Sequence, residues 1–312
     1  MRTTGVRLKI LGDDEIASLY GRPHFTDDER LEYFGLLPTE KAALDPFHSS
    51  KSRIYFILQL GYFKSHHLFF VFDFSDVEED ARFVQRHYFH LTDLEITKVT
   101  RLRQQGVILD LFQYQTCAAA QRQALAHKAQ QAARISAKPV FVFRELLHSL
   151  KEQRIVAPGY SFMQDTVSQA LTHEQERLAA IISHRLGRSH REALDHLLED
   201  APGLYEITHL RREPKDFSAS EIKREIYKGA QLRDLYALAT SLLPDLGISH
   251  ESVKYYASLV GYYSVYKLKR FEEATAYVYL LCFVYHRYQR LHDNLLSSLI
   301  HHVRRYHEAA KT

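Results

Sequence analysis

"SSKSRIYFILQLGYFKSHHLFF", residues 49–70, sets Tyr55, Phe56, Tyr62, Phe63 and Phe69 behind an opening that carries Lys51 and Arg53. At helical spacing Ile54, Leu58 and Tyr62 share one face with Ile57 beside them, while Lys51, Arg53 and Lys64 fall at the ends. That pattern predicts an amphipathic helix with its middle in the core, rather than a strand. The basic ends are left as places where a negatively charged partner could be held.

Outward from this segment, helix starts dominate. Seven Ser or Thr residues stand three before Glu or Gln: Thr26/Glu29, Ser75/Glu78, Thr92/Glu95, Ser161/Gln164, Thr172/Gln175, Ser189/Glu192 and Ser218/Glu221. Such pairs can satisfy free backbone donors reciprocally at a helix N-terminus. Period-two alternation is confined to Phe70 to Phe74 and Val140 to Phe143, where extended connections are expected. Ala118 to Arg134 is rich in Ala and Gln and suits a solvent-exposed connecting helix. After Phe271 one long helix is predicted, with a stripe of Leu280, Leu281, Val284, Tyr288, Leu291, Leu295, Leu299 and Val303 that needs neighbours to cover it. The predicted fold is all-α: a multi-domain helical array with helix-turn-helix-like units and a C-terminal helical bundle. Pro- and Gly-containing breakers place expected segments at 1–116, 117–203 and 204–312.

With 312 residues and 46% hydrophobic content the chain can bury a sizeable core. Cys117 and Cys282 lie far apart and suggest no disulfide framework, so a reducing bacterial cytoplasm is the expected location. The most apolar stretch, Ala276 to Tyr285, falls well short of the ~20 residues a membrane span needs. A net charge of +3 conceals an uneven distribution: from Ile96 to Arg154 ten basic residues face three acidic ones, whereas the first 49 residues lean acidic. A local field acts on a partner within a Debye length of ~8 Å, so the basic stretch points to a polyanion, the alternative being a solvated helix face.

The chain carries no phosphate loop, no Gly-x-Ser-x-Gly elbow and no His-Glu-x-x-His. Cys282 and His286 share a helical face, but two ligands make no site and their neighbours Leu281, Phe283 and Tyr285 read as core. His66-His67 and His301-His302 read as polar residues facing water. Neither a metal, a cofactor nor a small-molecule substrate is expected. Helix pairs joined by short turns do recur beside the basic stretch: Asp76 to Tyr88 followed by a helix from Thr92, and Val140 to Gln153 followed by "RIVAPGYS" and a helix capped by Ser161. A helix presented to a major groove needs little more than that.

At these residues the chain resembles the N-terminal region of transposases of the Tn-three family of replicative transposons, a region often catalogued as a domain of unknown function. The resemblance is carried by Arg53, Ile57, Gln59, Leu60, Tyr62 and Lys64, then by Thr100, Arg101 and Ile108. "LKEQRIVAPGYS" (150–161) and "LYEITHLRREPKDFS" (204–218) follow in order. Gln104 stands where that pattern has His, and Gln113 where it has Gly. The resemblance implies sequence-specific binding of terminal inverted repeats in duplex DNA, by a chain without the RNase-H-like catalytic domain, and therefore no enzyme. Lys51, Arg53, Lys64, Lys98, Arg101, Arg103, Lys138, Arg144, Lys151 and Arg154 are the expected phosphate contacts, with Thr100 and Ser161 beside them; Gln104, Gln164 and Ser168 are the expected base readers. The alternatives are a helical protein-interaction scaffold, in which the Tyr-rich C-terminal helices bind a partner helix, and a truncated remnant that competes with intact transposase; a homodimer is a further candidate partner, with 204–312 as the dimerisation or linker region.

Overall fold

The computed structural model describes residues 7–89, 101–201 and 204–311. Among these the secondary structure is almost entirely helical: fifteen α-helices, one 3₁₀ turn and a single two-residue strand pair, Asp200–Ala201 with Leu204–Tyr205. The chain divides into two compact units. The first comprises Met1–Ala126 and Phe143–Thr166, the second His127–Val142 and Val167–Thr312.

In chain order the first helices are α1 (Asp13–Tyr20), α2 (Asp27–Phe34), α3 (Pro38–Ala42), α4 (Ser50–His66), α5 (Glu78–Tyr88) and α6 (Arg101–Phe112). The opening stretch is helical as expected, but its amphipathic reading is corrected: every residue of α4 from Ile54 to Phe63 is buried. Two hydrophobic clusters meet on it. Ile54, Ile57, Leu58 and Tyr62 pack with Phe25, Phe34, Phe72, Val77 and Val84, whereas Phe56, Leu60 and Phe63 pack with Phe47 and Ile108. A helix with partners on both flanks needs no polar stripe. Burial of its polar neighbours is compensated: Asp80 accepts from Arg30 Nε at 2.7 Å and from the Tyr62 hydroxyl at 2.6 Å, as buried polar atoms require.

Gly61 of α4 leaves room for the Phe34 ring of α2. A Cβ there would lie 2.3 Å from Phe34 Cδ1 and 3.3 Å from the Tyr33 carbonyl oxygen. Gly61→Ala should therefore force the Phe34 ring and the helix aside and lower stability by about 1–3 kcal/mol, measured by urea unfolding; a neutral result would show that the two helices can part freely.

Next come α7 (Ala119–Ile135), α8 (Pro139–Glu152) and α9 (Tyr160–Arg185), each of which contributes residues to both units. The Ala-rich helix is exposed on one face only, since Leu125, Ala129, Ala132 and Ala133 are buried. Val140 to Phe143 belongs to α8 and is not an extended connection, and Phe70 to Asp73 is irregular until the 3₁₀ turn Phe74–Val77.

The second unit continues with α10 (Arg188–His196), α11 (Glu206–Arg211), α12 (Ala219–Leu246), α13 (His250–Tyr262), α14 (Val265–Leu268) and α15 (Glu273–Lys311). Its core joins Leu178 and Ile182 of α9, Leu232 and Leu246 of α12, Tyr256 and Val260 of α13, and Tyr277 to Val284 of α15. The predicted stripe of α15 is covered as far as Leu291, whereas Leu299 and Val303, together with Leu296 and Tyr306, are exposed.

Of the expected caps, Thr26 and Ser218 stand at helix N-termini and accept from the Glu29 and Glu221 amides. Ser75 lies inside the 3₁₀ turn, Ser161 and Ser189 fall one residue inside α9 and α10, and Thr172 is mid-helix in α9. Thr92 lies outside the described residues.

Candidate nucleic-acid interface

Within the first unit, α8 buries Phe143, Leu146 and Leu150. That leaves Arg144, His148 and Lys151 on the solvent side of the same helix. The helix ends in a left-handed residue, Arg154 at φ 53°, while the Ile155 amide donates back to Leu150 O at 2.9 Å. α6 ends alike, with Gln113 at φ 56° and the Tyr114 amide donating to Leu109 O at 2.9 Å. Glycine is the usual residue in this conformation because a Cβ crowds the following carbonyl. Gln113 and Arg154 adopt it while carrying side chains.

The two helix ends are clamped together. The Gln115 amide donates to Arg154 O at 2.9 Å, the Val156 amide to Gln115 O at 2.9 Å, and Arg154 Nη1 to Gln113 Oε1 at 2.9 Å. Arg154 and Lys151 have no carboxylate within 4.0 Å among the described residues, so their charge is available to solvent. Burial and the Lys151 ammonium hold His67, at the end of α4, below the usual histidine range.

A second basic group forms where α4 begins. Ser49 caps the helix by accepting from the Ser52 amide, and its first turn contains Lys51 and Arg53 but no acid. The N-terminal dipole normally attracts carboxylates, so cations here add to a positive field that suits an anion. Gln104 Nε2 donates to Ser52 O at 2.9 Å and to Ser52 Oγ at 3.0 Å, which brings Arg101 and Arg103 beside this turn. Neither arginine has a carboxylate partner among the described residues. The twelve residues of α6 separate this group from the Gln113–Arg154 clamp, about 18 Å at 1.5 Å per residue, or roughly half a helical repeat of duplex DNA.

The remaining predicted positions fare differently. Lys98 and Thr100 lie outside the described residues. Lys51 Nζ is buried and has no hydrogen-bond partner among them, while Arg53 Nε donates to Phe47 O at 2.6 Å. Two assignments are corrected. Lys64 Nζ is bound to Gly35 O and to the buried Glu40, each at 2.7 Å, so it ties α3 to α4 rather than reaching a phosphate. Gln104 is 0% exposed and its Nε2 donates to Ser52, so the buried side chain cannot reach a base edge.

Ser161 is exposed in the first turn of α9, but Gln164 Nε2 donates to Leu8 O at 3.1 Å. The acidic N-terminal segment accounts for that contact: Arg7 pairs with Asp165 at 3.3 Å, the Leu11 amide donates to the Tyr160 hydroxyl at 3.2 Å, and Glu15 lies 3.6 Å from Arg144. In the second unit, Lys138 pairs with Glu251 at 3.0 Å and holds that carboxyl below its ordinary range, and Ser168 is half-buried on α9. Sequence reasoning passed over Arg122, whose guanidinium lies 5.1 Å from the Phe162 ring centroid; its Ala/Gln-rich surroundings carry no signal of that contact.

No group of three or more His, Cys, Asp or Glu side chains among the described residues could hold a metal ion. Cys282 is fully buried, and desolvation pushes its thiol up, out of reach of thiolate chemistry at neutral pH. No described helix is long and apolar enough to cross a membrane.

Residues 10–170, from just before α1 into α9, match the profile of a family described as a domain of unknown function, DUF4158. The chain belongs to that family. Both basic groups of the first unit lie inside the DUF4158 match, whereas α10 to α15 lie beyond it. No curated protein matches the chain.

Proposed function

We propose that the chain binds duplex DNA through its first unit and performs no chemistry on it, as the end-recognising, non-catalytic part of a transposase acting in the bacterial nucleoid. The observation that carries this reading is that Arg101, Arg103, Lys151 and Arg154, exposed or half-exposed and without carboxylate partners among the described residues, gather at the two ends of α6, whereas Arg7, Arg30, Arg82 and Arg144 of the same unit are paired with acids. Arg30, by comparison, holds three carboxylates within 2.8 Å. Charges left unneutralised on a folded surface are those that counterion release can use. The α8–turn–α9 segment, with Ser161 in the first turn of α9 and Gln164 in the second, is the part suited to the major groove; Gln164 becomes available once the 7–15 segment yields.

The direct test is a salt-dependent titration of a terminal inverted repeat against a scrambled duplex. Binding of the repeat at least tenfold tighter, with log K falling linearly in log salt at a slope of about −0.9 per phosphate contact, is the expected outcome. Equal affinity for both duplexes refutes sequence-specific end recognition. A second reading, a helical interaction scaffold or homodimer, is favoured by Leu296, Leu299, Val303 and Tyr306, which repeat at alternating three- and four-residue spacing on the exposed end of α15. A scaffold tolerates loss of Arg101 and Arg154; a DNA-binding unit does not.

A further inference from the structure

The second unit carries a surface of a different kind. Between Glu251 and Glu272 the chain contains Lys254, Lys267, Lys269 and Arg270 and no acidic residue. α13 ends at Tyr262, which is 84% exposed, and α14 follows at once, with the Ser264 hydroxyl accepting from the Lys267 amide at 3.2 Å. Buried Val265 and Leu268 fasten this short helix to the core, so Tyr266, 73% exposed, faces outward with Lys267, Lys269 and Arg270.

The three cations sit over aromatic rings rather than beside carboxylates. Lys267 Nζ lies 5.7 Å from the Tyr263 centroid and 5.6 Å from that of Phe271; Lys269 Nζ lies 5.3 Å from Tyr205, and Arg270 Cζ 5.9 Å from Tyr266. None has a carboxylate within 4.0 Å among the described residues. Cation–π contact steadies each charge without neutralising it. Tyr262 and Tyr266 project their phenol rings outward, and each offers a flat face on which a base can stack.

We propose that this α13–α14 surface binds single-stranded nucleic acid, with Tyr262 and Tyr266 stacking on bases and Lys267, Lys269 and Arg270 holding the intervening phosphates. A duplex keeps its base faces covered by their neighbours, whereas an unpaired strand presents them; interleaved rings and cations therefore select the unpaired form. The inference stands apart from duplex binding by the first unit, because it uses residues of the second unit only.

The test uses the full chain and fluorescence anisotropy with labelled oligodeoxythymidine and oligouridine of twenty nucleotides, beside a duplex of equal length. Tyr262→Ala with Tyr266→Ala should weaken single-strand binding tenfold or more and leave duplex binding unchanged. Tyr262→Phe with Tyr266→Phe should retain it, since the ring and not the hydroxyl does the stacking. Removing Lys267, Lys269 and Arg270 together should flatten the single-strand salt slope by about 2. Tyr-dependent binding of either oligomer supports the proposal, and the stronger of the two identifies DNA or RNA as the ligand. Wild-type affinity in the double Ala variant overturns it, as does a Tyr-dependent preference for phosphatidylserine vesicles or polyglutamate over both oligomers. Because all five side chains are exposed, circular dichroism of the variants should match the wild type, which separates lost binding from lost fold.

Discussion

Arg287→Ala is expected to destabilise the second unit by about 3–5 kcal/mol, the range found when one member of a buried ion cluster is removed. Arg287 is 4% exposed on α15. Its Nε donates to Leu210 O at 2.6 Å, its Nη2 to Arg212 O at 2.8 Å and to Glu225 Oε1 at 3.3 Å, and its Nη1 to Glu213 Oε1 at 3.1 Å. Glu225, equally buried, also accepts from Lys228 Nζ at 2.7 Å and from Asn294 Nδ2 at 3.0 Å. Arg287 and Lys228, with Arg290 3.7 Å from Glu213, thus face two carboxylates around the carbonyl oxygens that end α11. Truncation would leave Glu225 short of charge and the Leu210 carbonyl without this donor in a site water does not reach. Urea unfolding of the single variant, compared with Arg287→Met combined with Glu225→Met and Lys228→Met, separates burial cost from pairing: the triple should recover part of the loss. A single-variant loss under about 1 kcal/mol would mean that water already screens the cluster.

The second large effect concerns binding. Lys151→Ala with Arg154→Gly should flatten the duplex salt slope by about 2 and lower affinity by about tenfold, two phosphate contacts being removed. Glycine is the right replacement at Arg154 because φ 53° imposes no strain on it, so thermal stability should hold or rise while binding falls. Arg154→Lys should restore most of the slope. Lys64→Ala provides the contrast: with its ammonium committed to Glu40 and Gly35 O, its loss should lower the melting temperature and leave the slope untouched. Affinity lost at constant slope in the Lys151/Arg154 variant would remove these residues from the interface.

Much of the architecture was readable from local chemistry. The helical fold, the helix at 50–66 and the long helix after Phe271 follow from periodicity, and the caps at Thr26 and Ser218 from side-chain reach. Three other boxes mislead for a physical reason: the same Ser/Thr-x-x-Glu/Gln spacing occurs inside a helix that has already begun, as at Thr172, Ser161 and Ser189. Val140 to Phe143 alternates like a strand, yet Pro139 at the helix start and the spacing of Val142, Leu146 and Leu150 favour α8. For the site, the charge count found the cations but could not tell which of them would be consumed.

Periodicity and capping act over three or four residues, so the order of letters alone determined that this chain is helical, where its main helices run and where its positive charge accumulates. Whether a given charge is free depends on groups brought close only by packing: Glu40 is 24 residues from Lys64, and Ser52 is 52 from Gln104. The tertiary structure therefore decided that Lys64 and Gln104 serve the core, that Lys151 and Arg154 keep their charge free of carboxylates among the described residues, and that the rings and cations from Tyr262 onward share a surface. A Coulomb or hydrogen-bond partner is set by distance in space, and no local rule of sequence carries that distance.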